Sequence, residues 1–455
     1  MASRRTMLAA ALASATAAAL PAGPASAQST AAYAMAYFKE SPDETDDSYA
    51  LHLAVSDDGL DWTPLNQNAP VATPTAGTRG LRDPFIIRKQ TGGFTVLATD
   101  LRGRVFNLNN QYLHVWDSAD LTGFTGYRRV RLHDMPTHTW APTAFWDPSR
   151  NRYGVVYSAH NGTRDVLMVN YTADFTDMGG PQVYFDAGAN ILDGDVLAHG
   201  GNFYLAYKHL DNGNLYVARS TTGAPGSYTT ITGGLRQGGA IEAPILVKSN
   251  AGDTFWLWGD SFAPSNAVFY AWRSSNIDSD SWTALNLRDY TAPISAKHAG
   301  IIPVTAAERD AMVQRWGAPQ WIRLKSHNFP DRFVRHAGNL ARIDPYPMEP
   351  PADQRWRLVA GLADAAGVSF ESVNFPGRYL RHANYAVRLD ANDGTSQFAQ
   401  DATFHRTAGL ADAAWASFRS HNLPDRYVRH SGYALRVDPI ADAGGRADAT
   451  FRITS

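Results

Sequence analysis

The sequence predicts an all-β protein in which a five-bladed β-propeller is followed by a β-trefoil. Three observations lead there. Strand-length apolar or alternating runs are punctuated by Gly, Asn, Asp and Pro throughout. A short motif that opens an apolar strand recurs five times. An eleven-residue pattern occurs three times in the C-terminal part of the chain.

The strand runs include residues 49–56, 94–99, 153–158, 203–208 and 255–258. Long helical periodicity is scarce. The one helix the pattern supports runs from Ala306 to Trp316, after Thr305 as a cap, and marks the end of the first domain. Within residues 31–316 the recurring motif appears as Arg82-Asp83-Pro84-Phe85, Trp140-Ala141-Pro142-Thr143, Leu192-Asp193-Gly194-Asp195, Ile241-Glu242-Ala243-Pro244 and His298-Ala299-Gly300. About four short strands fit between successive motifs, which is the rhythm of propeller blades. The strands ahead of Asp83 then join the last blade and close the ring, which removes exposed sheet edges.

The triplicated pattern lies in residues 317–455. It runs from Ser326 to His336, from Ser372 to His382 and from Ser420 to His430, each with Asn-x-Pro followed by Arg, an aromatic and Arg-His. Each copy continues to Arg-x-Asp (Arg342/Asp344, Arg388/Asp390, Arg436/Asp438) and ends in Asp-x-x-aromatic (Asp353/Trp356, Asp401/Phe404, Asp448/Phe451). Three such units cannot each bury an apolar face alone, so they close around a shared core.

Composition bounds the rest. A chain of 455 residues suggests two or three domains, and a net charge of −2 provides no basic field for nucleic acid and no polybasic signal for a membrane. With no cysteine, disulfides, thiolate nucleophiles and cysteine-ligated metals are excluded. Residues 1–27 read as an export signal: Arg4 and Arg5, an Ala-rich apolar run, then Ala25-Ser26-Ala27 as the cleavage site. Both a twin-arginine signal and an ordinary secretory signal fit, and either makes the mature protein extracellular. Asn161-Gly162-Thr163 and Asn170-Tyr171-Thr172 match glycosylation sequons.

Propeller strands at the axis bring together residues far apart in sequence. Asp83, Asp193 and Glu242 open three such strands. Two carboxyls flanking a glycosidic bond suffice for hydrolysis, one protonating the leaving oxygen and one activating water. Each acid alone has a plainer reading: Asp83 starts a turn before Pro84, and Asp193 and Asp195 sit in a Gly-containing turn. Glu242 stands among apolar residues, where an unpaired carboxylate is rare.

Taken together, the ordered motifs resemble those of glycoside hydrolase family 43, and the repeats resemble the arabinose-binding trefoil of carbohydrate-binding module family 42. The combination is similar to exo-1,5-α-L-arabinofuranosidases. The resemblance implies that Asp83 is the general base, Asp193 the group that tunes the acid, and Glu242 the general acid of an inverting mechanism. Asp195 competes with Asp193 for its role, and Glu40 is an outside candidate for the base. Thr143 departs from the family, which usually has an acid there. Trp140 borders the sugar pocket, with Phe85 a second candidate whose plainer role is packing. His298 faces the axis, either beside a structural ion or hydrogen-bonded within the ring; no cofactor is required. In the trefoil the resemblance implies arabinose pockets at His336/Asp353, His382/Asp401 and His430/Asp448, the first with a divergent Pro-rich tail. The plainer reading of these histidines is a structural bond within the repeat. The expected substrate is plant cell-wall arabinan or arabinoxylan, handled by a monomer. Alternatives are a β-xylosidase or galactanase on the same propeller, or a non-catalytic lectin.

Overall fold

The computed structural model describes residues 29–40 and 47–455. The export-signal segment lies outside these residues. Among them, no helix is long and apolar enough to cross a membrane.

Residues from Ala32 to Val304 form five four-stranded antiparallel sheets, the blades of a propeller. Four blades are sequential meanders opened by the strands Leu81–Arg88, Trp140–Asp147, Ile191–His199 and Ala240–Lys248. The fifth is shared between the two ends of the domain. Its first strand, Ala296–Val304, pairs with Ala32–Lys39, and His52–Ser56 and Thr63–Pro64 complete it. This is the closure the sequence predicts. The first strands of neighbouring blades touch one another around the whole ring, so they are the inner strands.

Five apolar clusters hold the ring, one at each junction between blades. Phe94 and Val96 of blade 1 pack on Leu53 and Ile302 of blade 5. Val115 meets Tyr157 between blades 1 and 2, and Phe145 meets Phe203 between blades 2 and 3. Val217 meets Leu257, and Trp258 meets Ile301, at the remaining two. No blade owns a core of its own, so the blades stabilise each other through apolar burial at about 25 cal/mol per Å².

The helix Ala306–Trp316 closes the domain as the sequence predicts. Thr305 and Glu308 form a reciprocal capping box, and Glu308 also takes both guanidinium nitrogens of Arg88 at 2.6 and 2.9 Å, fixing the helix to blade 1.

The C-terminal part is a separate β-barrel of twelve strands between Arg323 and Thr454. Each sequence repeat supplies one hairpin: Arg332–Ala337 with Leu340–Pro345, Arg378–Ala383 with Ala386–Ala391, and Tyr427–Ser431 with Ala434–Asp438. The second strands of the hairpins pair with one another in a triangle, through Leu340 with Arg388, Ala386 with Arg436, and Arg342 with Ala434. Trp356, Phe370, Phe404, Phe418 and Phe451 fill the shared core.

One close approach links the fold to the cavity. A Cβ at Gly300 would lie 2.8 Å from the Cα of Phe85 and 2.9 Å from the carbonyl oxygen of Pro84. Gly300→Val therefore forces blade 5 off blade 1, at a cost of about 1–3 kcal/mol. A lowered melting temperature of the propeller transition is the expected result.

Candidate active site

Every inner strand carries the same irregularity. Pairing with the second strand slips between Arg82 and Phe85, Trp140 and Thr143, Leu192 and Asp195, and Glu242 and Ile245. In blade 5 the slip falls between Lys297 and Gly300. A residue inside each slip adopts a left-handed conformation: Asp83 at φ 52°, Ala141 at 52°, Asp193 at 57°, Ala243 at 56° and His298 at 28°. A bulge re-aims side chains, and in blades 1 and 3 two consecutive residues, Arg82 with Asp83 and Leu192 with Asp193, line the same cavity. Pro84, Pro142 and Pro244 follow the left-handed residue in three blades, where a missing N–H costs the ladder no donor. In blade 3 the follower is Gly194, whose added Cβ would lie 2.6 Å from Leu167.

The bulges are tied blade to blade. Thr99 Oγ1 accepts the N–H of Ala141 at 2.9 Å and donates to Asp83 Oδ2 at 2.8 Å. Ser158 Oγ accepts the N–H of Asp193 at 2.9 Å, and Asp193 Oδ2 accepts the N–H of Ala243 at 3.2 Å. Backbone strain at non-glycine residues with positive φ persists only where surroundings over-determine it, and such places cluster at functional sites.

The result is one cavity of about 380 Å³ on the axis, lined by Asp83, Asp193, Glu242, His298, Arg82, Lys208 and Trp140. Phe106, Leu108 and Phe262 form an apolar rim, each partly exposed. Phe106 stands 5.6 Å from Trp140 between ring centres, and the Lys208 ammonium lies 4.2 Å from the centre of the Phe262 ring.

The charges in this cavity are matched but unequal. His298 Nδ1 is 3.1 Å from Asp83 Oδ1. Burial opposes ionisation of Asp83, but His298 and Arg82 outweigh it and hold its pKa below the usual value. Burial also works against charge on His298, yet Asp83, Asp193 and Asp260 raise it to about 9. Asp193 is pushed up, by burial first, with Glu242 and Asp83 adding repulsion that His298 and Lys208 only partly offset. Glu242 goes the other way. Lys297 Nζ is 2.7 Å from Oε1 and Lys208 Nζ 3.0 Å from Oε2, and together they overcome burial and hold Glu242 well below the carboxylate range. Lys297 also contacts Asp260 at 2.6 Å; burial raises that aspartate to about 6. The cavity thus holds Asp83 and Glu242 with lowered pKa values beside an Asp193 whose pKa is raised.

The other sequence candidates fall elsewhere. Asp195 is absent from the cavity lining and clasps three blades, accepting from Thr143 Oγ1 at 3.2 Å and from the N–H of Leu246 at 2.7 Å; burial raises its pKa to about 6. Thr143 is its partner. Glu40 is held by Arg82 at 2.8 Å, Arg104 at 3.1 Å and Asn266 at 2.9 Å, away from the lining. Phe85 packs between blades 1 and 2. Asn170 is buried and donates to Leu132 O at 2.7 Å while accepting from Tyr157, so of the two sequons only Asn161 is exposed.

In the barrel, each His and Asp meets an Asn of another repeat. His336 Nε2 lies 3.3 Å from Asp353 Oδ1, and Asn374 bridges them at 3.0 and 2.8 Å. His382 and Asp401 are bridged by Asn422 at 2.8 and 2.7 Å, and His430 and Asp448 by Asn328 at 2.9 and 2.7 Å. Arg335, Arg381 and Arg429 pair with the same aspartates. The Pro-rich tail of repeat one leaves Asp353 in the same place, in a short turn where the other repeats have a helical one.

Sequence reasoning passed over Arg82, Lys208, Lys297, Asp260 and the rim residues. Arg82 and Lys297 directly precede Asp83 and His298. The register shared by the five motifs is the signal that finds them, since Glu242 occupies the same position in blade 4.

A closed propeller that gathers carboxyls from three blades in one axial cavity has the groups that acid/base hydrolysis needs. The profile of the family described as a probable glycosyl hydrolase domain, related to glycoside hydrolase family 43, matches residues 28–310, and the chain belongs to that family. Residues 322–453 match the α-L-arabinofuranosidase B domain. The chain is 55% identical over 85 residues to an extracellular exo-α-(1→5)-L-arabinofuranosidase of Streptomyces avermitilis, covering 19% of this chain and 18% of that protein. It is 28% identical over 178 residues to an α-L-arabinofuranosidase of Bifidobacterium longum subsp. longum, covering 32% of this chain and 17% of that one. The chain thus spans under a fifth of these relatives. Among solved structures, a Podospora anserina α-L-arabinofuranosidase with cellotriose matches at 18% identity and a TM-score of 0.38, over 49% of this chain and 74% of that one.

The His298 shift has a stability consequence. Its folded pKa of about 9 exceeds the ordinary 6.5, so its contribution is complete below pH 6.5 and is lost as pH rises through 9. Urea midpoints measured from pH 6 to 9.5 should fall more steeply for the parent protein than for His298→Asn. Lys325, lowered to about 7 by burial, contributes a slope of opposite sign, but equally in both proteins.

Proposed function

We propose that this glycoside hydrolase is an exo-acting α-L-arabinofuranosidase. It releases terminal arabinofuranosyl units from arabinan or arabinoxylan by an inverting acid/base mechanism. One observation carries the reading: acids from three blades of a glycosyl hydrolase propeller line a single small cavity. The C-terminal barrel, with three hairpins related by the sequence repeat, is a β-trefoil whose His/Asp/Asn clusters bind arabinofuranose side chains. The match to the arabinofuranosidase B domain and the names of the relatives support arabinose over xylose or galactose. The protein is secreted, as the signal-like residues 1–27 and the extracellular relative suggest, and works as a monomer.

Asp83, kept ionised by His298, is the base that takes a proton from water. Glu242 is the acid and Asp193 tunes it, as the family motifs imply. The two lysines on Glu242 set a condition on this assignment. An ionised carboxylate has no proton to give, so Glu242 must first take one from solvent water. Substrate that moves Lys208 away from Oε2 raises the Glu242 pKa and favours that protonation, and the proton then passes to the glycosidic oxygen. A second reading gives the acid role to Asp193, because burial raises its pKa while the lysines lower that of Glu242. His298 Nδ1 lies 3.1 Å from Asp83 Oδ1, a hydrogen bond within the ring; the same two donors are the ones that would hold a structural ion on the axis, and no step is routed through it.

Leaving-group dependence separates the two readings. Glu242→Gln should lower turnover of arabinan about 100- to 10,000-fold, yet spare an aryl arabinofuranoside whose phenolate leaves without protonation. Asp83→Asn should lose activity on both. Sparing by Asp193→Asn and not by Glu242→Gln would exchange the two roles. In linear arabinan, free arabinose should appear with no short oligomers at early times; early oligomers would reject the exo mode.

Lys208→Met removes a cation that stabilises ionised Glu242, so the acid's pKa rises. Because the acid works protonated and Lys208 contacts it in the free enzyme, the alkaline limb of the kcat/KM profile should move to higher pH.

A further inference from the structure

We propose that Asp364, His405 and His421 form a divalent transition-metal site on the C-terminal barrel, of the kind that takes Zn²⁺. The cluster shares no residue with the propeller cavity or with the three His/Asp/Asn clusters.

The donor geometry suits a metal. His405 Nε2 lies 3.1 Å from His421 Nδ1 and 3.8 Å from Asp364 Oδ2, and the three donor atoms all fall within 4.8 Å of one another. Bonds of about 2.0–2.1 Å at tetrahedral angles place neighbouring donors about 3.3 Å apart. Two imidazole nitrogens and a carboxylate match the preferences of zinc, copper and nickel rather than of calcium or magnesium. The Asp364 and His405 side chains are 40% and 25% exposed, which leaves the remaining coordination positions open to water.

The donors are held from the backbone. Thr403 Oγ1 accepts the N–H of Ala363 at 2.9 Å, and Thr403 O accepts the N–H of His421 at 3.1 Å. A single residue thus sets the turn that carries Asp364 and the strand end that carries His421. His405 follows two residues later, on the strand Phe404–Ala408.

The internal repeat shows that the fold does not require these side chains. The sister corner is built the same way: Thr450 Oγ1 accepts the N–H of Ala411 at 3.0 Å, and Thr450 O accepts the N–H of His327 at 3.1 Å. There Asp412 and His327 recur, but the position of His405 is held by Arg452, which pairs with Asp61 of the propeller. At the remaining corner the two histidine positions are Arg357 and Val373. Three equivalent corners therefore form with Arg/His, Arg/Val and His/His, and only the last completes a ligand set. A bound ion there would cross-link the turn at Asp364 to two strands.

The alternative is a plain imidazole–imidazole hydrogen bond. The test is calorimetric titration of the full, EDTA-dialysed protein with Zn²⁺. One ion should bind per chain and raise the melting temperature. His405→Arg and His421→Val borrow residues that the sister corners already accommodate. Each should weaken that binding at least about tenfold. Absence of a one-to-one site in the parent protein would overturn the proposal, as would affinity that neither substitution changes.

Discussion

The structure turns on a bulge repeated in the inner strand of every blade. A regular strand sends successive side chains to opposite faces, so it would offer the axis only alternate residues. The slip at Asp83, Ala141, Asp193, Ala243 and His298 breaks that alternation. It lets Arg82 and Asp83 reach the cavity side by side, and it places Glu242 of blade 4 beside Asp193 of blade 3 through the N–H of Ala243. Blade-to-blade hydrogen bonds from Thr99 and Ser158 hold this conformation, and the closed ring keeps the blades from relaxing outward.

Gathering acids in a buried space creates an electrostatic problem. Unpaired buried carboxylates would neutralise. Here His298, Arg82, Lys208 and Lys297 answer Asp83, Asp193, Glu242 and Asp260, and the balance differs at each acid. Asp83 gains two cations and stays charged. Glu242 holds two lysines. Asp193 has only partial compensation and is pushed toward its neutral form. Groups this close titrate together, so the proton belongs to the cluster before substrate arrives.

The barrel separates what a repeat needs from what one corner adds. Ser326, Ser372 and Ser420 recur with the aromatic positions Trp356, Phe404 and Phe451 because three units share one core. The His/Asp/Asn clusters recur too, and each is completed by a neighbouring repeat. Where the repeats diverge, the residues are free to serve other ends. Arg452 joins the barrel to the propeller, and His405 with His421 forms a potential ligand pair.

Much of this was legible in the sequence because repetition and turn chemistry are local. The five motifs, the triplicated pattern, the capped helix at Ala306–Trp316 and the closing strands could all be read from residue order. So could the candidacy of Asp83, Asp193 and Glu242, since propeller register places strand starts at the axis. The tertiary structure alone separated Asp193 from Asp195, two residues apart but turned to different surroundings by the bulge. It alone tied Glu40 to Arg82 and brought Lys208 and Lys297 onto Glu242. Those contacts join positions far apart in the chain, and the protonation they impose depends on distance and burial, which residue order does not contain.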